Sequence, residues 1–319
     1  MSARPRVLVL EPIDESGLEL LRRDAEVTVL TGPTDPRLDA NLATADALVV
    51  RSTQVGADLL DRAPRLRVIG RHGAGLDNID SAHAAALGIT VVNTPRSNTE
   101  SVAEYVIAAA LLLTKQILPA SAALRSGAFT PGRSLPGQVV ASGHVGGELA
   151  GRRLGLVGLG AIGRSVAGKA LALGMRVAAV DPFVDATVMR DLGVTRCATI
   201  AELLPRTDVL SLHVPGGGDE PLVGAAELAL LPGGAVLVNS ARAGVVDTGA
   251  LVEAVTRGHL GGAAVDVFDP EPPPPDSPLL HTPGILCTPH MAAMTHEALV
   301  RMARDVATNV LAALRQPRD

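Results

Sequence analysis

Three residues far apart in the chain, Arg242, Glu271 and His290, have side chains of the types needed to move a proton beside a bound carboxylate. A neutral imidazole at His290 can take a hydroxyl proton, and the imidazolium can return it. A carboxylate at Glu271 would orient that ring and favour its charged form. The guanidinium of Arg242 could grip a substrate carboxylate through two charge-assisted hydrogen bonds and polarise an adjacent carbonyl. Each also has a plainer explanation: an arginine that caps a helix or pairs at the surface, a solvent-facing glutamate among prolines, a histidine that caps a helix.

The elements that must position them are short apolar runs. Arg242 follows the run 235–238, Glu271 follows 263–268 and His290 follows 285–287, and ligands of parallel α/β sheets bind beyond the carboxyl ends of strands. A dinucleotide is the expected ligand. The stretch Leu154-Gly-Leu-Val-Gly158-Leu-Gly160-Ala161-Ile162-Gly163 opens a helical segment, and Asp181 ends the next apolar run, 175–180. Gly158 would allow a tight turn, Gly160 the close approach of a pyrophosphate, and Gly163 the close packing of helix on sheet, with the phosphates at the helix amino end. Asp181 would accept hydrogen bonds from the adenosine ribose and repel a 2′-phosphate, which favours NAD over NADP. Transfer of a hydride to nicotinamide, with His290 taking the hydroxyl proton from the same carbon, is the chemistry these parts would perform together.

Composition narrows the alternatives. The 319 residues are enough for two hydrophobic cores, built from small aliphatic side chains because there is one tyrosine, three phenylalanines and no tryptophan. With so few aromatics and a net charge of −5, neither a base-stacking platform nor a phosphate-attracting field is expected, so no nucleic-acid role is expected. Cys197 and Cys287 form no disulfide framework or close ligand motif, and the histidines lack metal-site spacing, so no metal is expected. No signal segment and no membrane span is evident, and cytoplasmic residence is the expectation.

The runs 7–10, 27–30, 47–50, 67–69 and 90–92 read as strands of one α/β unit, and those near 154–157, 177–180, 209–212, 235–239, 263–268 and 285–287 as strands of a second. The expected fold class is α/β: two Rossmann-like domains with parallel sheets, a discontinuous substrate domain and an inserted NAD-binding domain. The boundaries read as 1–98 for the first part of the substrate domain, 99–289 for the NAD domain, and 290–319 for the return, which is a helix over 291–314. Residues 100–114 form a long apolar helix, while 119–148, interrupted by glycines and prolines, reads as a loop or excursion.

Three stretches around the candidate residues, Asn239-Ser240-Ala241-Arg242-Ala243-Gly244, Asp266-Val-Phe-Asp-Pro-Glu271-Pro and Thr288-Pro-His290-Met-Ala-Ala-Met-Thr295, together with the glycine turn, resemble motifs of the NAD-dependent D-isomer 2-hydroxyacid dehydrogenase family. Val50-Arg51-Ser52-Thr53 and Gly70-Arg71-His72-Gly73-Ala74-Gly75-Leu76-Asp77 resemble the substrate-domain motifs of its phosphoglycerate dehydrogenase branch. The resemblance covers nearly the full chain. It implies that Arg242 binds and polarises a 2-oxo acid, Glu271 supports the histidine, and His290 is the acid/base. It puts Arg51, Ser52, Thr53, Gly73, Ala74 and Gly75 at the substrate, with Ala74 also toward the nicotinamide. It puts Ala161 and Ile162 at the pyrophosphate, Val214 and Pro215 under the adenine, and Ser240, Ala241 and Asp266 near the nicotinamide. A homodimer to which the helix 100–114 contributes is also implied.

Two departures bear on the substrate. His72 stands where the phosphoglycerate branch often has a small residue, and 119–148 is longer and richer in glycine than the family's usual connection. Arg51 and Arg71 could attract a substrate phosphate or pair with protein groups. The expected reaction is oxidoreduction of 3-phosphoglycerate and 3-phosphohydroxypyruvate, with D-glycerate/hydroxypyruvate or glyoxylate reduction as the alternative. An NAD-binding structural or regulatory protein is the alternative outside catalysis.

Overall fold

Strands flanked by helices on both faces need apolar side chains on both faces, and continuous runs such as Ala47–Val50, buried at every position, meet that demand. The computed structural model describes residues 4–216, 218 and 220–316. It divides the chain into two compact units, Met1–Ser101 with Ala293–Asp319, and Val102–Ala292.

The first unit holds β1 (Arg6–Val9), β2 (Glu26–Val29), β3 (Ala47–Val50), β4 (Val68–Arg71) and β5 (Thr90–Val92), paired in the order β2-β1-β3-β4-β5 with every ladder parallel. Alternate side chains divide between two cores. Leu8, Leu48, Val50 and Ile69 face one core with Leu42 and Leu60. Val7, Val9, Val49 and Val68 face the other, with Leu21 and with Val306, Ala307 and Val310 of the helix His296–Leu314. That helix starts later than position 291, because the Thr295 hydroxyl caps it by accepting from the Ala298 amide.

The second unit holds β6 (Arg153–Val157), β7 (Arg176–Val180), β8 (Val194–Arg196), β9 (Val209–Leu212), β10 (Ala235–Asn239), β11 (Leu260–Val265) and β12 (Ile285–Cys287). Their order is β12-β11-β10-β9-β6-β7-β8, again all parallel. The chain runs outward from β6 through β7 to β8, then returns to the other side of β6 at β9, so strand order reverses between β6 and β9.

Further sequence expectations are corrected, and one strand was not foreseen. Residues 119–148 are not simply a loop: they contain most of the helix Ile117–Arg125 and all of the helix Leu135–Ala141. The glycines that read as interruptions end these helices. At Gly127 the amides of Gly127 and Ala128 reach the carbonyls of Leu124 and Ala123, and at Gly143 the amides of Gly143 and His144 reach those of Val140 and Val139, the left-handed closure that favours glycine. Pro136 sits in a helix's first turn, where its missing N–H costs nothing. Strand β8, with only Val194 buried, is too short and polar to show a pattern. Strand β11 begins at Leu260 rather than 263, because Gly261 and Gly262 conceal its first half and one ladder irregularity lies there.

Candidate active site

The three candidate residues leave the carboxyl ends of three adjacent strands in register. Asn239 of β10 pairs with Val265 of β11, and Val265 with Cys287 of β12. Arg242, Glu271 and His290 lie three to six residues beyond those ends. The glycine turn, Asp181 and His213-Val214-Pro215 follow β6, β7 and β9 at the same edge.

Glu271 and His290 are in contact. The Nδ1 of His290 lies 2.8 Å from Oε2 and 3.1 Å from Oε1 of Glu271, and Oε1 also accepts the Phe268 amide at 2.9 Å, which holds the carboxylate in place. Both side chains are partly exposed. His290 has φ +51, a left-handed conformation costing a residue with a Cβ about 1–3 kcal/mol. The surroundings impose it. Asp266, fully buried, accepts the Met291 amide at 2.8 Å, the Ala292 amide at 2.8 Å and the Thr288 hydroxyl at 2.5 Å. The chain on both sides of His290 is thereby tied to one carboxylate.

Arg242 adopts an extended backbone before the short turn Ala243–Val245. One guanidinium N–H donates to its neighbour's carbonyl, Ala241 O, at 2.6 Å, and the Asn239 side-chain amide donates to Arg242 O at 2.9 Å. Ala241 is buried, with its N–H given to Asn239 Oδ1 at 3.1 Å. Asn239 thus shapes the turn that presents Arg242.

At the nucleotide turn Gly158 has φ +94, and a Cβ there would run into the His213 carbonyl, while one on Gly163 would run into the Gly158 carbonyl. Gly160 faces open space and precedes the helix Ala161–Ala172, whose first turn has no side-chain cap. The first amides of a helix have no intrahelical partner, so the turn fits a pyrophosphate. Asp181 accepts the Leu159 amide at 2.7 Å on one oxygen and the Phe183 amide at 2.8 Å on the other, which fixes its carboxylate beside the turn. Among the described residues the Ser240 hydroxyl is buried without a hydrogen-bond partner, a further sign that a polar ligand completes this edge. Ala161, Ile162, Val214 and Pro215 stand in half-buried or exposed positions along it. These residues fit a dinucleotide.

The remaining site candidates lie in the first unit. Glu11, buried after β1, accepts the amides of Arg51, Ser52 and Thr53 at 2.9, 2.8 and 2.6 Å and the Ser52 hydroxyl at 2.8 Å. Burial pushes its carboxyl up, but these four donors together outweigh it and leave the group below its ordinary value. Among the described residues the Arg51 guanidinium has no hydrogen-bond or ion-pair partner. Arg71 is engaged by its own loop, through the Asn78 side chain and the His72 carbonyl. Gly73 has φ +143, with Arg71 lying across the place of a Cβ. The Asn93 side-chain amide donates to Ala74 O at 2.7 Å, and Ala74 and Gly75 are half-buried. His72 is 2% exposed, and among the described residues neither ring nitrogen makes a well-formed hydrogen bond. Burial and the nearby Arg51 and Arg71 charges bring its pKa down to about 4.

Sequence reading missed Glu11 and the tether role of Thr288. Glu11 is separated from its loop by 40 positions, and only the pairing of β1 with β3 brings them together. Among the described residues, no three His, Cys, Asp or Glu side chains cluster in a way that could hold a metal ion.

Residues 107–292 match the family described as D-isomer specific 2-hydroxyacid dehydrogenase, NAD binding domain. A D-3-phosphoglycerate dehydrogenase of Methanocaldococcus jannaschii is 38% identical over 97% of the chain, and the chain spans 57% of that relative's length. An (S)-sulfolactate dehydrogenase of Chromohalobacter salexigens is 41% identical over 97% of the chain and 98% of its own length. A crystal structure of a Thermus thermophilus protein superposes with a TM-score of 0.85 at 35% identity, over 97% of this chain and 96% of the other.

Proposed function

The chain belongs to the D-isomer specific 2-hydroxyacid dehydrogenase family, and we propose that it interconverts a D-2-hydroxy acid and its 2-oxo acid with NAD, on a substrate bearing a second oxyanion at C3. The observation that carries the reading is the Glu271–His290 pair, set at strand ends beside the one that presents Arg242.

A carboxylate can only accept, so the shared proton is assigned to Nδ1 of His290 and Nε2 is left to work. In oxidation Nε2 takes the C2 hydroxyl proton, and in reduction the imidazolium returns it while Glu271 stabilises the charge. Bound NAD supplies the hydride acceptor and NADH the donor. The bond from Arg242 to Ala241 O fixes one side of the guanidinium fork, which would hold the C1 carboxylate and polarise the C2 oxygen. Asp181 would receive the adenosine ribose and disfavour NADP.

3-Phosphoglycerate and 3-phosphohydroxypyruvate are the first-choice pair. The second reading, sulfolactate and sulfopyruvate, is favoured by the relative matched over 98% of its length. The two substrates agree in shape. Sulfur raises the rank of the CH2 substituent above the carboxylate, so (S)-sulfolactate and D-3-phosphoglycerate have the same spatial arrangement at C2. Both carry a C3 oxyanion, and Arg51, whose guanidinium has no partner among the described residues, is the candidate cation for it. The test is NADH-dependent reduction of 3-phosphohydroxypyruvate, sulfopyruvate, hydroxypyruvate and glyoxylate at one ionic strength, by wild type and Arg51→Ala. The phosphorylated substrate should have the largest kcat/KM and lose about 10- to 100-fold in the variant, the worth of a hydrogen bond to a charged group, with hydroxypyruvate little changed. Equal efficiencies and equal losses would overturn the C3 preference, and a leading sulfopyruvate would select the second reading. No turnover with NAD bound would leave a structural or regulatory NAD-binding protein.

The proposal includes a homodimer. The helix Thr99–Thr114 buries Val106, Ala109, Ala110 and Leu113 within its own unit, whereas the helices Ile117–Arg125 and Leu135–Ala141 have no buried residue and expose Leu124, Leu135 and Val140. A second copy would cover them, and light scattering that stayed monomeric at micromolar concentration would remove this part. No single helix among the described residues is long and apolar enough to cross a membrane. Cytoplasmic residence also remains a proposal, to which the two free cysteines lend support.

A further inference from the structure

The chain contains one tyrosine and no tryptophan. Tyr105, on the helix Thr99–Thr114, is half-buried, and its hydroxyl lies 2.7 Å from the Thr288 hydroxyl. Thr288 in turn lies 2.5 Å from Oδ1 of Asp266. A carboxylate only accepts, so the single Thr288 proton goes to Asp266, and Tyr105 must donate to Thr288. The direction of the chain is therefore fixed from helix to strand end.

Asp266 Oδ1 also accepts the Met291 amide, so one oxygen ties down residues on both sides of His290. His290 itself sits at φ +51, where a side chain is strained and will relax if its tethers loosen. Thr288 is the tether on the amino side, and its hydroxyl could rotate away from Asp266 if nothing defined its other lone pair. The Tyr105 hydroxyl defines it. Burial also raises the Tyr105 phenol, to about 12, although its bond with Thr288 pulls the other way, so it stays a neutral donor across the working range.

We propose that Tyr105 is a positioning residue for His290, acting through Thr288 and Asp266 without touching substrate or cofactor. The inference rests on the reading of His290 as the acid/base. It gives the long helix a task at the site besides core packing, since the same turn that buries Val102 and Val106 delivers the phenol.

The test compares wild type with Tyr105→Phe, Thr288→Val and the double variant. Tyr105→Phe should lower kcat about tenfold, the worth of one buried hydrogen bond, with the substrate KM and the NADH Kd within twofold. Thr288→Val should lower kcat at least as far, and adding Tyr105→Phe to it should cost nothing more, because the two act as one chain. Two side chains acting independently would instead give additive losses, and a merely structural contact would lower the denaturation midpoint with kcat unchanged. The lone tyrosine supplies a readout independent of turnover: its near-ultraviolet absorption band, placed at longer wavelength by hydrogen-bond donation, should shift to shorter wavelength in Thr288→Val at neutral pH. Unchanged kcat in Tyr105→Phe, additive losses, or an unshifted band would overturn the proposal. His290→Asn separates the two levels: if it turns over fully, the acid/base reading fails, whereas an inactive His290→Asn beside a fully active Tyr105→Phe overturns only the role of Tyr105.

Discussion

Nδ1 of His290 lies 2.8 Å from one oxygen of Glu271 and 3.1 Å from the other, and the Phe268 amide holds that carboxylate from behind. Glu271→Gln keeps the volume but removes the charge that stabilises the imidazolium. Under the proposed function it should lower kcat on the order of a hundredfold with little change in NADH affinity. Steady-state kinetics with isothermal titration of NADH checks this, and a fall in affinity with kcat intact would remove Glu271 from the proton-transfer step.

Asp181 holds the Leu159 and Phe183 amides while facing the proposed ribose site. Asp181→Ala should weaken NADH binding and narrow the preference over NADPH, each by about tenfold, since a bond to a charged acceptor and a repulsion disappear together. Parallel titrations with both cofactors read the two effects separately.

Glu11 gathers three amides and a hydroxyl from Arg51–Thr53. In Glu11→Gln the side-chain amide would turn N–H groups toward N–H groups, so the loop should loosen. KM for the 2-oxo acid should rise several-fold and more than kcat falls, with Glu11→Asp intermediate. The carboxyl lies below its ordinary value, so its contribution to stability is present above the ordinary carboxylate range and is lost as pH falls through the depressed value.

His72 titrates near 4 when folded against about 6.5 when unfolded. The unfolded chain therefore binds a proton between pH 6.5 and 4 that the folded chain refuses, and stability drops as pH falls across that window, by about 3 kcal/mol from this residue. His213, also lowered to about 4 by burial, acts in the same direction. His72→Phe should flatten the pH dependence of the denaturation midpoint between pH 7 and 4.5 without abolishing it. A dependence as steep as wild type would show that His72 is not the buried neutral base described here.

How much of this was legible depends on the range over which each feature is encoded. Strand β9 and the glycine turn are local patterns, and Val209–Leu212, three of its four side chains aliphatic, is buried at every position. The strand-end placement of Arg242, Glu271 and His290 was legible because each lies within six residues of such a run. The helices at Ile117 and Leu135 were obscured because glycines serve both to break helices and to close them. Glu11 and Tyr105 were invisible for another reason: their partners are 40 or more and 183 positions away, and nothing in their own neighbourhoods marks them. Arg71, a candidate phosphate ligand by composition, is committed to its own loop.

The central claim is that His290 moves the proton in an NAD-dependent interconversion of a 2-hydroxy and a 2-oxo acid. Reduction of 3-phosphohydroxypyruvate by NADH, or of whichever 2-oxo acid wild type prefers, should be measured for wild type and His290→Asn with NADH affinity determined in parallel. The account predicts a kcat lower by about 10²- to 10⁴-fold with NADH binding nearly unchanged. Full turnover by the Asn variant would contradict it.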